Sequence, residues 1–180
     1  MIRLFAALSP PPQIASALTE LQNGLAGARW RPVESLHVTL RFFGEITEDV
    51  AADLDAELAG LDLPAFELAL QGVGYFGEGA AIEAVWAGVA DNPGLGRLAR
   101  ACEAAARRAG LKAETRRYHP HVTLAYLRRP HPEAVADWIR RFNLLHSPPF
   151  RAEGFGLYSS WLGRTGSRYR LERTYPLAPA

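Results

Sequence analysis

A chain of 180 residues with 48% hydrophobic and 22% charged residues carries enough apolar surface to bury a core, which excludes a disordered tail. Its 20 Lys and Arg against 19 Asp and Glu give a formal charge of +1. That excludes a protein gripping a long nucleic acid through a basic face, because each phosphate contact has to displace counterions, and leaves a nucleic-acid end or a single nucleotide. The single cysteine, Cys102, excludes an intramolecular disulfide and a Cys-based zinc site.

The first apolar stretch, Ile2–Leu8, reads as a strand, and Ser9-Pro10-Pro11-Pro12 opens a helix with Ile14, Leu18, Leu21 and Leu25 on one face. Residues 37–43 alternate as a second strand. Thr47-Glu48-Asp49 caps a helix whose inner face is Val50, Leu54, Leu58 and Leu61. Strands are predicted over Phe66–Tyr75 and Ala81–Val89, with Gly77-Glu78-Gly79 as the turn.

From residue 84 the pattern starts again. Ala84–Val89 matches the opening strand, Asp91-Asn92-Pro93 opens a helix with Leu95, Leu98, Cys102 and Ala105 inward, and Gly110 ends it. His121-Val122-Thr123-Leu124 repeats His37-Val38-Thr39-Leu40. His131-Pro132 starts a helix with Val135, Trp138, Ile139 and Phe142 on one face. Phe150–Ser159 and Arg168–Tyr175 are the closing strands. Leu4 to Val85, His37 to His121, Val50 to Val135 and Phe66 to Phe150 are 81, 84, 85 and 84 positions apart. The chain therefore reads as a duplication, with halves of about 1–83 and 84–180 and no linker between them. Two copies close most simply about a pseudo-two-fold axis. The expectation is one bilobal α+β domain over 1–180, with two antiparallel sheets lining a central cleft and helices packed outside.

Residues two apart on a strand share a face. His37, Thr39 and Arg41 therefore point one way, and Arg117, His119, His121 and Thr123 do so in the second copy. Burying these polar faces without partners would cost about 1–3 kcal/mol per group, so both are expected to turn toward a wet cleft, with His37 opposite His121. Two imidazoles facing each other suit in-line cleavage of a phosphodiester, one taking a proton from water and the other protonating the departing ribose oxygen. Thr39 and Thr123 are placed to bond the non-bridging oxygens, with charge-assisted contacts from Arg117 and Arg41. Packing alone gives no reason for both polar residues of a repeat to match. Phe5 and Tyr126 are candidates for stacking a nucleobase. His119 and His121 raise a zinc alternative that lacks an obvious third ligand, so no metal or cofactor is expected.

At these residues the chain resembles the two-histidine (2H) phosphoesterases, and within them the bacterial and archaeal RNA 2′,3′-cyclic phosphodiesterases once named 2′-5′ RNA ligases. The likeness is carried by the stretch from Arg31-Pro32-Val33-Glu34-Ser35-Leu36-His37 to Phe43-Gly44-Glu45, by Arg117-Tyr118-His119-Pro120-His121-Val122-Thr123-Leu124, by Arg3-Leu4-Phe5-Ala6-Ala7 and by Phe155-Gly156-Leu157-Tyr158-Ser159-Ser160. It implies a bilobal fold, metal-independent hydrolysis of an RNA terminal 2′,3′-cyclic phosphate to a 2′-phosphate, His37 as proton donor and His121 as the acceptor that activates water. At Tyr126 relatives often carry arginine. The alternatives are a 2H enzyme acting on 2′-5′-linked oligonucleotides or nucleotide cyclic phosphates, including RNA ligation, and a non-catalytic binder of RNA ends. No apolar run approaches the roughly 20 residues of a membrane span, so a cytoplasmic monomer with no membrane contact and no obligate protein partner is expected.

Overall fold

A computed structural model describes residues 1–164 and 166–179. In chain order the first half contains β1 (Ile2–Leu8), α1 (Pro12–Thr19), β2 (Arg29–Trp30), β3 (Val38–Ile46), α2 (Glu48–Ala59), β4 (Phe66–Leu68) and β5 (Leu70–Phe76). The second contains β6 (Ala84–Val89), α3 (Pro93–Arg108), β7 (His121–Tyr126), α4 (Pro132–Phe142), β8 (Phe150–Ala152), β9 (Gly154–Gly163) and β10 (Gly166–Pro176). The larger strands form one continuous antiparallel sheet in the order β10-β9-β1-β3-β7-β6-β5, made of two smaller sheets that divide between β3 and β7, and β2 pairs with the far end of β7.

The sheets meet at one residue pair, Val38 opposite Val122. A separate ribbon joins β4 to β8 through Phe66 with Ala152, Glu67 with Arg151 and Leu68 with Phe150. The pairs Val38–Val122 and Glu67–Arg151 are each 84 positions apart, so both lie on the axis that relates the halves. The halves are also interlocked. The last strand of the first half, β5, pairs with β6 of the second, and β9 of the second pairs with β1 of the first. The two registers correspond: Gly74 opposes Trp86 where Tyr158 opposes Phe5, and Val73 opposes Ala87 where Leu157 opposes Ala6.

The helices cover the sheet faces away from the histidines. Ile14 and Leu18 of α1, Leu54 and Leu58 of α2, Leu95, Leu98 and Cys102 of α3, and Val135 and Trp138 of α4 join Val38, Leu40, Val122 and Leu124 in one continuous apolar cluster. Burial pushes the Cys102 thiol up to about 12, as expected of an inert core cysteine. Asn92 caps α3 by accepting from the Leu95 N–H at 3.0 Å, and its amide donates to the Glu67 carbonyl at 2.6 Å, tying the helix to β4.

Four predicted elements differ in their bounds. The helix expected to run to Leu25 stops at Thr19, whose hydroxyl bonds back to the Ser16 carbonyl at 2.6 Å. The chain then turns through Gly24 at φ 81, while Leu21 and Leu25 are buried by tertiary contacts instead. The strand expected over Phe66–Tyr75 is two strands divided at Ala69, and Phe150–Ser159 is divided at Glu153, because the first three residues of each leave the main sheets to pair with one another. The strand expected from Ala81 begins at Ala84, after a single 3-10 turn over Gly79–Ala81.

Candidate active site

The Val38–Val122 pair points inward, with Val38 1% and Val122 0% exposed. Strand alternation then turns the flanking residues, His37 and Thr39 on one side and His121 and Thr123 on the other, to the opposite, open face. His37 stands across from Thr123 and Thr39 across from His121, which leaves the two imidazoles as diagonal neighbours; such positions lie roughly 7–8 Å apart. The seam thus sets the four polar side chains on one face, with the imidazoles diagonal to each other where the sequence expectation sets His37 directly opposite His121.

The imidazoles are held alike. Nδ1 of His37 lies 2.7 Å from the Ser35 carbonyl, and Nδ1 of His121 lies 2.6 Å from the His119 carbonyl, each two residues upstream. A carbonyl only accepts, so Nδ1 carries the proton in both rings and Nε2 is left for chemistry. Nε2 of His37 lies 3.1 Å from the Thr39 hydroxyl. The packing around the rings is also matched. Phe5 packs against His37 at 4.9 Å between centroids, and its register counterpart Trp86 lies 6.0 Å from His121. Gly74 lets the indole lie on the backbone of β5; a Cβ there would fall 2.3 Å from the ring. Phe76 adds an edge contact to His121 at 4.8 Å.

Beyond this the halves diverge. β10 flanks β9, no strand among the described residues takes the corresponding place beside β5, and Tyr169 of β10 closes on His37 edge-on at 5.3 Å. Burial lowers His37 from the usual histidine range to about 4, assisted by the Arg31 charge and by His121 once that ring is itself protonated, while its bond to the Ser35 carbonyl opposes the shift. His121 is also lowered, by burial and by the neighbouring His119, against its own carbonyl bond. Both imidazoles are therefore neutral in the resting protein at neutral pH.

The other predicted contacts divide. Arg41 is committed elsewhere: its guanidinium pairs with Glu103 and donates to the carbonyls of Phe42 and, at 2.8 Å, Lys112. It buttresses α3 and has few donors left for a phosphate. Phe5 is only 4% exposed, stacked on Tyr158 at 5.3 Å and covered edge-on by Tyr169, so it offers no face to a base and instead positions His37. Arg117 is exposed and, with Thr39, Tyr118, His119 and His121, lines a cavity of about 580 Å³ running from the seam toward α3. Tyr118 ties this wall to the seam by donating to the Thr39 carbonyl at 2.9 Å. Tyr126 is 39% exposed at the other end of the seam, beside Arg31. The rings of His119 and His121 are 6.0 Å apart, and no third His, Cys, Asp or Glu converges on them among the described residues.

Sequence reasoning missed Arg31, Trp86, Phe76 and Tyr169. Arg31 lies inside the stretch that carried the family likeness, and Trp86 is the register counterpart of Phe5, so both left a signal. Phe76 and Tyr169 left none.

The family model of the 2′-5′ RNA ligase superfamily matches residues 10–161. The chain belongs to this superfamily. Among curated relatives, the RNA 2′,3′-cyclic phosphodiesterase of Archaeoglobus fulgidus is 29% identical over 97% of this chain and 99% of its own length. The protein of the same name from Aeropyrum pernix is 38% identical over 76% of this chain and 79% of its own. Escherichia coli LigT, solved in complex with 3′-AMP, superposes with a TM-score of 0.79 at 26% identity, covering 98% of both chains. The bilobal α+β fold is thus that of the superfamily. Among the described residues no helix is long and apolar enough to cross a membrane.

Proposed function

We propose that this protein hydrolyses the 2′,3′-cyclic phosphate at RNA ends to a 2′-phosphate, with His37 and His121 as the acid–base pair. The observation that carries the reading is the seam: two imidazoles of fixed tautomer, diagonal to each other, each with a threonine hydroxyl two residues on. Relatives from Archaeoglobus fulgidus, Aeropyrum pernix and Escherichia coli named RNA 2′,3′-cyclic phosphodiesterase support the same substrate.

In this reading the cyclic phosphate lies across the Val38–Val122 pair. Nε2 of His121 takes a proton from water as the water oxygen bonds to phosphorus. The bond from phosphorus to the ribose 3′ oxygen breaks, and Nε2–H of His37 supplies the proton that this oxygen needs. Thr39 and Thr123 donate to the non-bridging oxygens as charge builds on them. His37 is neutral in the resting protein, so it must gain its proton with the substrate. An anion seated between the rings favours the imidazolium and offsets the burial and the nearby charges that depress it. The protein is read as acting in the cytoplasm, as a monomer, on RNA 3′ ends.

The test is turnover of an oligonucleotide ending in a 2′,3′-cyclic phosphate, with the product analysed for a 2′-phosphate. His37→Ala and His121→Ala are each expected to lower kcat by about 10²–10⁴-fold, the usual share of a proton-transfer group, with unchanged thermal melts. Near-normal turnover in either variant would sink the assignment. In the same reading a 5′-hydroxyl in place of water gives ligation by the same ring opening: its oxygen bonds to phosphorus, His121 takes its proton, and the ribose 3′ oxygen leaves with a proton from His37, so that a 2′-5′ linkage results.

A further inference from the structure

Arg31 is the only charged residue among those buried in the described structure, at 8% exposure. Among the described residues its side chain donates from Nη2 to the Ser167 carbonyl at 3.2 Å, lies within hydrogen-bonding reach of the Tyr169 hydroxyl, and has no carboxylate partner. Its guanidinium is held between two tyrosines, 5.6 Å from the ring centre of Tyr126 and 5.3 Å from that of Tyr169. An interior cation without a counter-charge is costly; stacking on two rings offsets part of the cost, and most of the five N–H donors remain for an anion.

The position says which anion. The Arg31 N–H bonds to the Leu124 carbonyl at 2.8 Å, so the residue lies on the same seam as the histidines, further along β7. The Tyr169 ring that it stacks on is the one set edge-on against His37. Arg31 thus sits beyond His37, on the side away from His121. If His37 protonates the ribose oxygen, the sugar lies on the His37 side, and the next charge outward is one sugar away. We infer that Arg31, together with the hydroxyls of Tyr169 and Tyr126, binds the 5′-phosphate of the terminal nucleotide, the phosphodiester that joins it to the rest of an RNA chain. The enzyme then favours chain ends over free nucleoside cyclic phosphates. This rests on the reading of the seam as a cyclic phosphodiesterase.

The experiment compares adenosine 2′,3′-cyclic phosphate with the same compound bearing a 5′-phosphate. The wild-type protein should favour the 5′-phosphorylated compound by about tenfold in kcat/KM, the scale of one charge-assisted contact, with most of the difference in KM and a smaller preference at high salt. Arg31→Gln should bring the ratio close to one, and Arg31→Lys, which keeps the charge but not the planar stack, should fall between. A wild-type ratio near one, or equal loss on both compounds in Arg31→Gln, overturns the inference, because a residue serving only the fold or His37 would affect the two substrates alike. Should Arg31→Gln fail to fold, Tyr169→Phe carries the test: a drop in the ratio supports the subsite and an unchanged ratio overturns it. Failure of the wild-type protein to hydrolyse the cyclic-phosphate oligonucleotide, run alongside, would instead sink the cyclic phosphodiesterase reading itself.

Discussion

At the scale of the residue, the site is two copies of one device: a histidine whose Nδ1 is fixed by the carbonyl two positions back, and a threonine two positions on. Its proton balance makes a stability prediction. His37 titrates near 4 in the folded protein and near 6.5 in the unfolded chain. Between these values the unfolded state holds a proton that the folded state lacks, so stability rises with pH through this window and is fully present above it. Urea unfolding between pH 4 and 6.5 should show His37→Asn losing up to about 1.4 kcal/mol per pH unit of that slope; an unchanged slope would mean that His37 is not buried as a neutral ring. His37, Thr39, His121 and Thr123 were legible in the sequence because a tetrapeptide recurs with both polar positions kept. Arg41 and Phe5 were misread because strand alternation gives the face a side chain leaves from, not the partner that claims it. Glu103 takes the first, and Tyr158 and Tyr169 enclose the second.

At the scale of the element, the site depends on strands that approach one another closely. Trp86 can pack toward His121 only because β5 presents Gly74 beneath it. Gly74→Ala should push the indole off the strand, costing about 1–3 kcal/mol of stability as an overpacked contact and lowering kcat through a displaced His121. Thermal melts and turnover of the cyclic-phosphate oligonucleotide check it, and a variant equal to wild type in both would show that the indole does not set the ring. Strands and helices were legible from periodicity: α3 and α4 present the inward residues expected of them. The breaks at Ala69 and Glu153 were not, because Phe66–Tyr75 and Phe150–Ser159 each read as one strand and only the pairing of β4 with β8 divides them.

At the scale of the whole molecule, the 84-residue offset made the two-fold legible, while the exchange of final strands was not, since a repeat does not say which sheet its last strand will join. Because β5 completes the second half and β9 the first, and one apolar cluster spans both, fragments 1–79 and 80–180 should each fail to fold alone. Mixed, they should recover a cooperative melt and cyclic-phosphate turnover, with one histidine from each; an active or independently folded fragment would contradict this. One strand escapes the symmetry. A cradle with perfect two-fold symmetry would accept a ligand equally well in either of two opposed senses, and half of all encounters would be backward. By standing on one flank only, β10 dries one histidine, brings up Tyr169 and the Ser167 carbonyl that Arg31 bonds, and gives the molecule a front and a back, so the two senses in which a ligand can lie across the seam are unequal before any ligand arrives.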